Sequence, residues 1–114
     1  MLFRFNKNEP YTSISMQEAK NLLVKDQSIR LIDVRSSDEY RQGHIPGSMN
    51  IPLDQISDIT RVVPDKDSRL FVHCLSGARS QRACAWLAKL GYSDVTNIGG
   101  IAQWTGEVVR TANR

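Results

Sequence analysis

The sequence predicts a single α/β domain in which a mainly parallel sheet is covered by helices on both faces. Short apolar runs alternate with helical stretches along the chain, and the connections between them are short and polar. Three runs have the length and composition of buried strands: residues 29–34, 70–72 and 95–98. A chain of 114 residues is long enough to bury one core without disulfides.

The first helix is predicted at residues 16–25. Ser15 and Glu18 match a capping box, and apolar residues follow them at helical spacing. The strand at residues 29–34 comes after a polar break and contains β-branched residues. This helix and this strand therefore open the alternating pattern.

The later elements follow in the same order. Ser36 or Ser37 caps a short helix that Gly43 ends, and Gly91 ends a longer one. Gly99 and Gly100 are expected to open a final segment after the last strand. From Val108 the chain is polar and expected to fray. The remaining predicted elements are a helix at 53–59, a turn at 65–67, the strand at 70–72, a helix at 79–90 and the strand at 95–98.

Composition limits the classes of partner and compartment. The net charge is only +3 and the arginines are scattered, which suits a small anionic substrate better than nucleic acid. Two cysteines in a chain of this composition argue against a disulfide framework, so a reducing, cytoplasmic location is expected. No apolar stretch has the length of a membrane span, and the opening residues are too short for a signal peptide.

Cys74 is the candidate nucleophile. It follows the apolar run at residues 70–72 and precedes a short loop and the helix at 79–90. A thiol between a strand end and a helix N-terminus meets backbone N–H groups and the helix dipole, which favour the reactive thiolate. Such a thiolate could attack phosphorus, with an arginine holding the phosphoryl oxygens, or it could attack a sulfane sulfur and keep it as a persulfide.

The length of the loop favours sulfur over phosphorus. The signature of cysteine phosphatases has five residues between its cysteine and its arginine. Here four residues separate Cys74 from Arg79, namely Leu75, Ser76, Gly77 and Ala78. The shorter loop makes a tighter cradle, which fits one extra sulfur atom better than a tetrahedral phosphate.

The loop from Cys74 to Ser80 strongly resembles the active loop of rhodanese-type sulfurtransferases. Three other segments resemble motifs of the same family, in the same order and spacing between Asp33 and Trp104. They are Asp33-Val34-Arg35 followed by Glu39-Tyr40, the run from Gly43 to Pro52, and Gly99-Gly100-Ile101 with Trp104.

The resemblance implies a three-layer, rhodanese-like α/β domain with a central parallel sheet of about five strands. It implies one domain over residues 1–114, with a core at about 11–107 and a tail at 108–114. It also implies a two-step cycle, in which Cys74 takes sulfur from a donor such as thiosulfate and passes it to cyanide or a thiol. Substrate binding would fall to Leu75, Ser76, Gly77, Ala78, Arg79 and Ser80, with Arg79 holding the anionic donor.

Five further residues are expected to support the site structurally: Asp33, Arg35, Glu39, His44 and Trp104. Arg35 is expected to form a structural ion pair near Glu39, and His44 to fix its loop by a hydrogen bond to backbone. Trp104 is interpreted as a core or pocket-wall residue, and Cys84 as a core residue. No metal or other cofactor is expected, because the two histidines have no cluster of further ligands.

Two alternative functions stay open from the sequence. One is a cysteine phosphatase or arsenate reductase built on a related loop, for which no general-acid aspartate is identified. The other is a non-catalytic rhodanese-like module that binds or regulates a partner, against which the intact Cys74 and Arg79 argue. The expected partners are a small anionic sulfur donor and a thiol or protein acceptor, with neither nucleic acid nor a membrane.

Overall fold

The computed structural model describes residues 3–5 and 10–111. The strands of this part are β1 (Phe3–Phe5), β2 (Thr12–Ile14), β3 (Arg30–Asp33), β4 (Met49–Asn50), β5 (Arg69–Cys74) and β6 (Asp94–Gly100). They form one sheet in the order β1-β2-β6-β5-β3-β4. All neighbours from β2 to β4 in this order are parallel, and β1 joins β2 antiparallel at the edge. The predicted parallel sheet of about five strands is confirmed.

Helices cover both faces of the sheet, as the sequence predicted. The helices are α1 (Met16–Lys25), α2 (Ser37–Gln42), α3 (Ile59–Val62) and α4 (Ala78–Lys89), with 3-10 helices at Leu53–Asp58 and Ile101–Gln103. Because side chains alternate along a strand, Phe71 of β5 packs in the core with α1, whereas Leu70 and Val72 pack in the core with α3 and α4. Of the helices described, none is long and apolar enough to cross a membrane.

The first two helices begin where their capping residues predict. α1 has the predicted bounds, and the Glu18 N–H donates to Ser15 Oγ at 3.1 Å. α2 starts after Ser36, whose hydroxyl accepts from the Glu39 N–H while the Glu39 carboxylate accepts from the Ser36 N–H. These contacts lie within one helical turn, so the local sequence contains everything needed to form them.

Several elements differ from the sequence prediction. The short strands β1, β2 and β4 were not predicted, and the helix expected at 53–59 is a 3-10 helix followed by α3. Gly99 and Gly100 complete β6 and do not open a separate segment. Strands β2 and β4 were missed because their pairing, of Thr12 with Thr96 and of Asp33 with Asn50, joins distant parts of the chain.

The segment after Val108 is held against the rest of the domain. His44 and Val109 exchange two backbone hydrogen bonds of 2.9 Å, and the Thr111 N–H donates to the Arg41 carbonyl at 3.1 Å. The expectation that the chain frays from Val108 is therefore wrong for residues 109–111. Residues 112–114, which the prediction also included, lie outside the described residues.

A β-bulge marks the end of β6 next to Cys74. Val72 of β5 lies opposite Asn97, and His73 lies opposite Gly99, so Ile98 is an extra residue on β6. After the bulge Gly100 lies opposite Cys74. The bulge therefore determines which residues of β6 border the Cys74 loop.

Candidate active site

Cys74 is the last residue of β5 and is only 1% exposed. The Gly77 N–H donates to its Sγ at 3.0 Å, and the Ser80 Oγ lies 3.5 Å from the same sulfur. The loop turns at Gly77 with a φ of +117°, a conformation that favours glycine, and α4 begins at the next residue. The sulfur thus lies at the N-terminus of a 12-residue helix, where negative charge is stabilised.

Two opposing effects act on the Cys74 thiol. Burial raises its pKa, because it disfavours the charged form. Hydrogen bonds from the Ser80 hydroxyl and from the backbone N–H groups of Ser80, Gly77 and Ser76 lower the pKa, and together they outweigh burial. The net pKa lies below the ordinary value for cysteine, so the thiolate is more abundant near neutral pH than in a free thiol.

The loop after Cys74 has one side that faces the sulfur and one that faces solvent. Leu75 is 46% exposed, and Ser76 and Ala78 are also exposed. The Leu75 carbonyl accepts from the Ala102 N–H at 3.2 Å, which ties the loop to the 3-10 helix after β6. The inner side therefore presents backbone N–H groups to the sulfur, and the outer side faces solvent.

Arg79 is held by Glu39 in a bidentate pair. Its Nη1 and Nη2 donate to the two Glu39 carboxylate oxygens at 2.7 Å and 3.0 Å. These bonds lower the pKa of Glu39 to about 2, although partial burial raises it. Arg79 also lines an open groove of about 740 Å³ between α4 and the segments after β3 and β4, together with Arg82 and Trp86. The structural ion pair that the sequence predicts for Arg35, near Glu39, is therefore not made with Glu39.

Arg35 pairs instead with Asp33, two residues before it. The Asp33 carboxylate accepts from the backbone N–H of Arg35 at 2.9 Å and from its Nη2 at 2.8 Å. Arg35 Nη2 also donates to the Gly43 carbonyl at 2.7 Å. Both side chains are buried, where a charged group requires a partner of opposite charge, and each is that partner for the other. The pair joins the end of β3 to the loop that begins at Gly43.

His73 is fully buried beneath the site. Its Nε2 lies 3.7 Å from Asp33 Oδ2, and its Nδ1 lies 3.2 Å from the Cys74 carbonyl oxygen. Burial lowers the pKa of His73 by more than the nearby Asp33 carboxylate raises it. The ring is therefore neutral at pH 7, and it contacts the Cys74 backbone.

His44 contacts α2, and Trp104 packs in a different core cluster from Cys74. His44 Nδ1 is 2.7 Å from the Tyr40 carbonyl oxygen, and the His44 ring stacks on the Tyr40 ring with a centroid distance of 3.7 Å. Trp104 packs against the α1 core, whereas Cys74 belongs to the α4 core on the opposite face. The Trp104 Nε1–H donates to the Glu107 carbonyl at 2.9 Å.

One residue of the site was missed by the sequence reasoning. Asn97 Oδ1 lies 2.8 Å from Ser80 Oγ and accepts from the Gly99 N–H at 3.0 Å. Asn97 sits where the β6 bulge begins, 23 positions after Cys74. The sequence offered no signal for this contact, because it depends on the register between β5 and β6.

Comparison with known proteins identifies a matching domain family. The profile of the rhodanese-like domain matches residues 15–107. The putative sulfur carrier protein YrkF of Bacillus subtilis is 34% identical over 95 residues, which are 82% of this chain; the chain spans about half of that relative, 51%. The thiosulfate sulfurtransferase PspE of Escherichia coli is 41% identical over 71 residues, 61% of this chain and 68% of that protein.

A solved structure has the same fold. The rhodanese-like domain protein from Staphylococcus aureus superimposes with a TM-score of 0.79 at 30% sequence identity. The match covers 88% of this chain and 98% of that one. The fold predicted from the sequence is thus confirmed by a second, independent comparison.

Proposed function

The chain belongs to the rhodanese-like domain family, and we propose that it is a sulfurtransferase that carries sulfane sulfur as a persulfide on Cys74. The observation that carries this proposal is the surroundings of the thiol. Its sulfur is buried at a helix N-terminus, its pKa is lowered by hydrogen bonds, and a backbone N–H donates to it at 3.0 Å. The names of relatives such as PspE support the same chemistry.

The first step is attack of the Cys74 thiolate on the outer sulfur of an anionic donor such as thiosulfate. A bond forms between Cys74 Sγ and that sulfur, the sulfur–sulfur bond of the donor breaks, and sulfite leaves with the bonding electron pair. The negative charge then resides on the terminal sulfur of the persulfide. Backbone N–H groups of the loop from Leu75 to Ser80 stabilise charge at this position without reorganising.

The second step returns the enzyme to its starting state. A nucleophilic acceptor, such as cyanide or a thiolate, attacks the terminal sulfur of the persulfide. The Cys74 thiolate leaves with the electron pair of the broken bond, and thiocyanate or a new persulfide is released. The same hydrogen bonds from Gly77 and Ser80 that lower the pKa of Cys74 make it a better leaving group here.

The proposal is tested by following sulfur itself. The protein is incubated with thiosulfate and its intact mass is measured, then cyanide is added and thiocyanate is assayed. We expect a gain of one sulfur atom, lost on addition of cyanide with a matching yield of thiocyanate. Turnover of an aryl phosphate or arsenate without any sulfur gain would support a phosphatase or reductase instead. Binding without either turnover would indicate a non-catalytic module.

Arg79 is proposed to attract the anionic donor, but Glu39 neutralises it in the resting protein. Glu39→Gln should therefore raise the rate constant of sulfur loading about twofold to fivefold at low salt, with less effect at high salt. Arg79→Ala should lower it by a similar factor. Glutamine keeps the capping interaction of α2, so the helix start is preserved. The measurement is the loading rate against thiosulfate concentration at two ionic strengths.

Arg61 provides the matched control. It is an exposed arginine of α3 that pairs with Asp58 at 3.6 Å, and it is not among the residues that line the groove. Arg61→Ala changes the net charge of the protein as Arg79→Ala does, so a general charge effect would appear in both. Loading rates that respond equally to the two arginine substitutions would contradict a specific role for Arg79.

A further inference from the structure

We propose that Asn97 is a positioning residue for the Ser80 hydroxyl. Its Oδ1 accepts the hydrogen bond of this hydroxyl while Cys74 is a thiol, and the hydroxyl donates to the sulfur instead when Cys74 becomes a thiolate. The inference takes from the proposed function that Cys74 is the reacting group. It concerns protonation of the sulfur and not the identity of the substrate. Its test therefore measures the thiol directly and does not need sulfur transfer to occur.

The Ser80 hydroxyl is surrounded by more acceptors than it has protons to donate. Its Oγ lies 2.8 Å from Asn97 Oδ1, 3.0 Å from the Gly77 carbonyl, 3.4 Å from the Gly99 carbonyl and 3.5 Å from Cys74 Sγ. A hydroxyl has only one proton to donate. Since Asn97 is the nearest of these acceptors, it is the main competitor of the sulfur for that proton.

The orientation of the Asn97 amide is fixed by a second contact. The Gly99 N–H donates to Oδ1 at 3.0 Å, so this atom must be the carbonyl oxygen and not the amide nitrogen. The oxygen that faces Ser80 can therefore only accept. The bulge at Ile98 brings Asn97 and Gly99 into this arrangement, and Ser80 is fully buried, so water does not supply an alternative acceptor.

Two proton arrangements follow from this geometry. When Cys74 is protonated, its S–H donates to Ser80 Oγ and the Ser80 hydroxyl donates to Asn97. When Cys74 is ionised, the Ser80 hydroxyl turns to the sulfur, and Asn97 keeps only the Gly99 N–H. Ionisation thus costs the Ser80–Asn97 hydrogen bond, so Asn97 holds the fraction of thiolate lower than Ser80 alone would allow.

The test is the pH dependence of Cys74 alkylation by iodoacetamide, measured in a Cys84→Ala background so that one thiol reacts. Alkylation follows the thiolate, so its rate rises with pH through the pKa of Cys74. Asn97→Ala should lower the midpoint by about half to one pH unit, because the Ser80 hydroxyl then loses the nearest acceptor that competes with the sulfur, although the Gly77 carbonyl remains. In a Ser80→Ala background the same substitution should produce no shift.

Two further variants keep the test decisive. Asn97→Asp retains an acceptor for Gly99 and adds a negative charge, so it should raise the midpoint, and less so when Ser80 is alanine. If Asn97→Ala does not fold, the midpoints of Asn97→Asp with and without Ser80 test the proposal in its place. Thr96→Val is the control, since Thr96 lies beside Asn97 on β6 and the substitution removes its 2.8 Å contact with Thr12 of β2 without touching Ser80.

Equal shifts with and without Ser80 would overturn the proposal, because Asn97 would then act only through the shape of the loop. No shift in either background would overturn it as well. A protein that alkylates as expected but fails to take sulfur from thiosulfate would support the role of Asn97 and count against the proposed function. The two conclusions are therefore distinguishable.

Discussion

Cys74→Ser is expected to abolish sulfur loading, whereas Cys84→Ala is expected to leave it intact. Serine cannot form a persulfide, and its hydroxyl is a far weaker nucleophile than the Cys74 thiolate. The rate of thiocyanate production should therefore fall by at least about 10³-fold in Cys74→Ser. Intact mass after incubation with thiosulfate measures the loading step, and the thiocyanate assay measures the full cycle.

Cys84 is a suitable control because α4 places it in the core. It is fully buried on α4, and burial raises the pKa of its thiol, so it is almost entirely protonated at neutral pH. Cys84→Ala should lower stability while the mass gain on Cys74 persists. A mass gain in Cys74→Ser that disappears when Cys84 is also replaced would contradict the assignment of the nucleophile.

The elements that the sequence predicted correctly are those determined by neighbouring residues. α1 and α2 begin after Ser15 and Ser36, and both caps are made within one turn. The Cys74 loop was predictable for the same reason, since Cys74 and Ser80 lie only six positions apart. Local hydrogen-bonding patterns leave a readable signal in the sequence.

The contacts that were not predicted join residues far apart in the chain. Glu39 and Arg79 are separated by 40 positions, and their pairing depends on how α2 and α4 pack at the end of the sheet. Arg35 was a closer candidate for Glu39 in sequence, but Asp33 accepts its guanidinium two residues away. Charge and spacing alone therefore do not decide between these partners. The short strands β2 and β4 were missed for the same physical reason, since their pairing is non-local.

A second large effect is expected from substitution of Gly100, which has an ordinary backbone conformation but no room for a side chain. A Cβ atom at this position would lie 2.6 Å from Ser76 Cα and would overlap the Leu75 carbonyl group. These atoms belong to the backbone of the Cys74 loop, so they cannot rotate away as a side chain would. Gly100→Ala should push the loop outward and move the Gly77 N–H away from the sulfur.

The expected result is a loss of function larger than the loss of stability. Overpacking at Gly100 should lower the free energy of unfolding by about 1–3 kcal/mol, and displacement of the loop should slow sulfur loading by about 10²-fold or more. Gly47→Ala separates the two effects. Gly47 has a φ of +85° and free space around it, so alanine there strains the backbone by about 1–2 kcal/mol without touching the loop.

Urea unfolding and the loading rate are therefore measured on both glycine variants. Both should unfold at lower urea concentrations than the parent protein, but only Gly100→Ala should lose sulfur loading under conditions where it is folded. Equal loading by the two variants would mean that the backbone around Cys74 tolerates a shift of the loop. In that case the hydrogen bond from Gly77 would not be required for activity, and the acidity of Cys74 would have to come from the Ser76 N–H, Ser80 and the helix N-terminus.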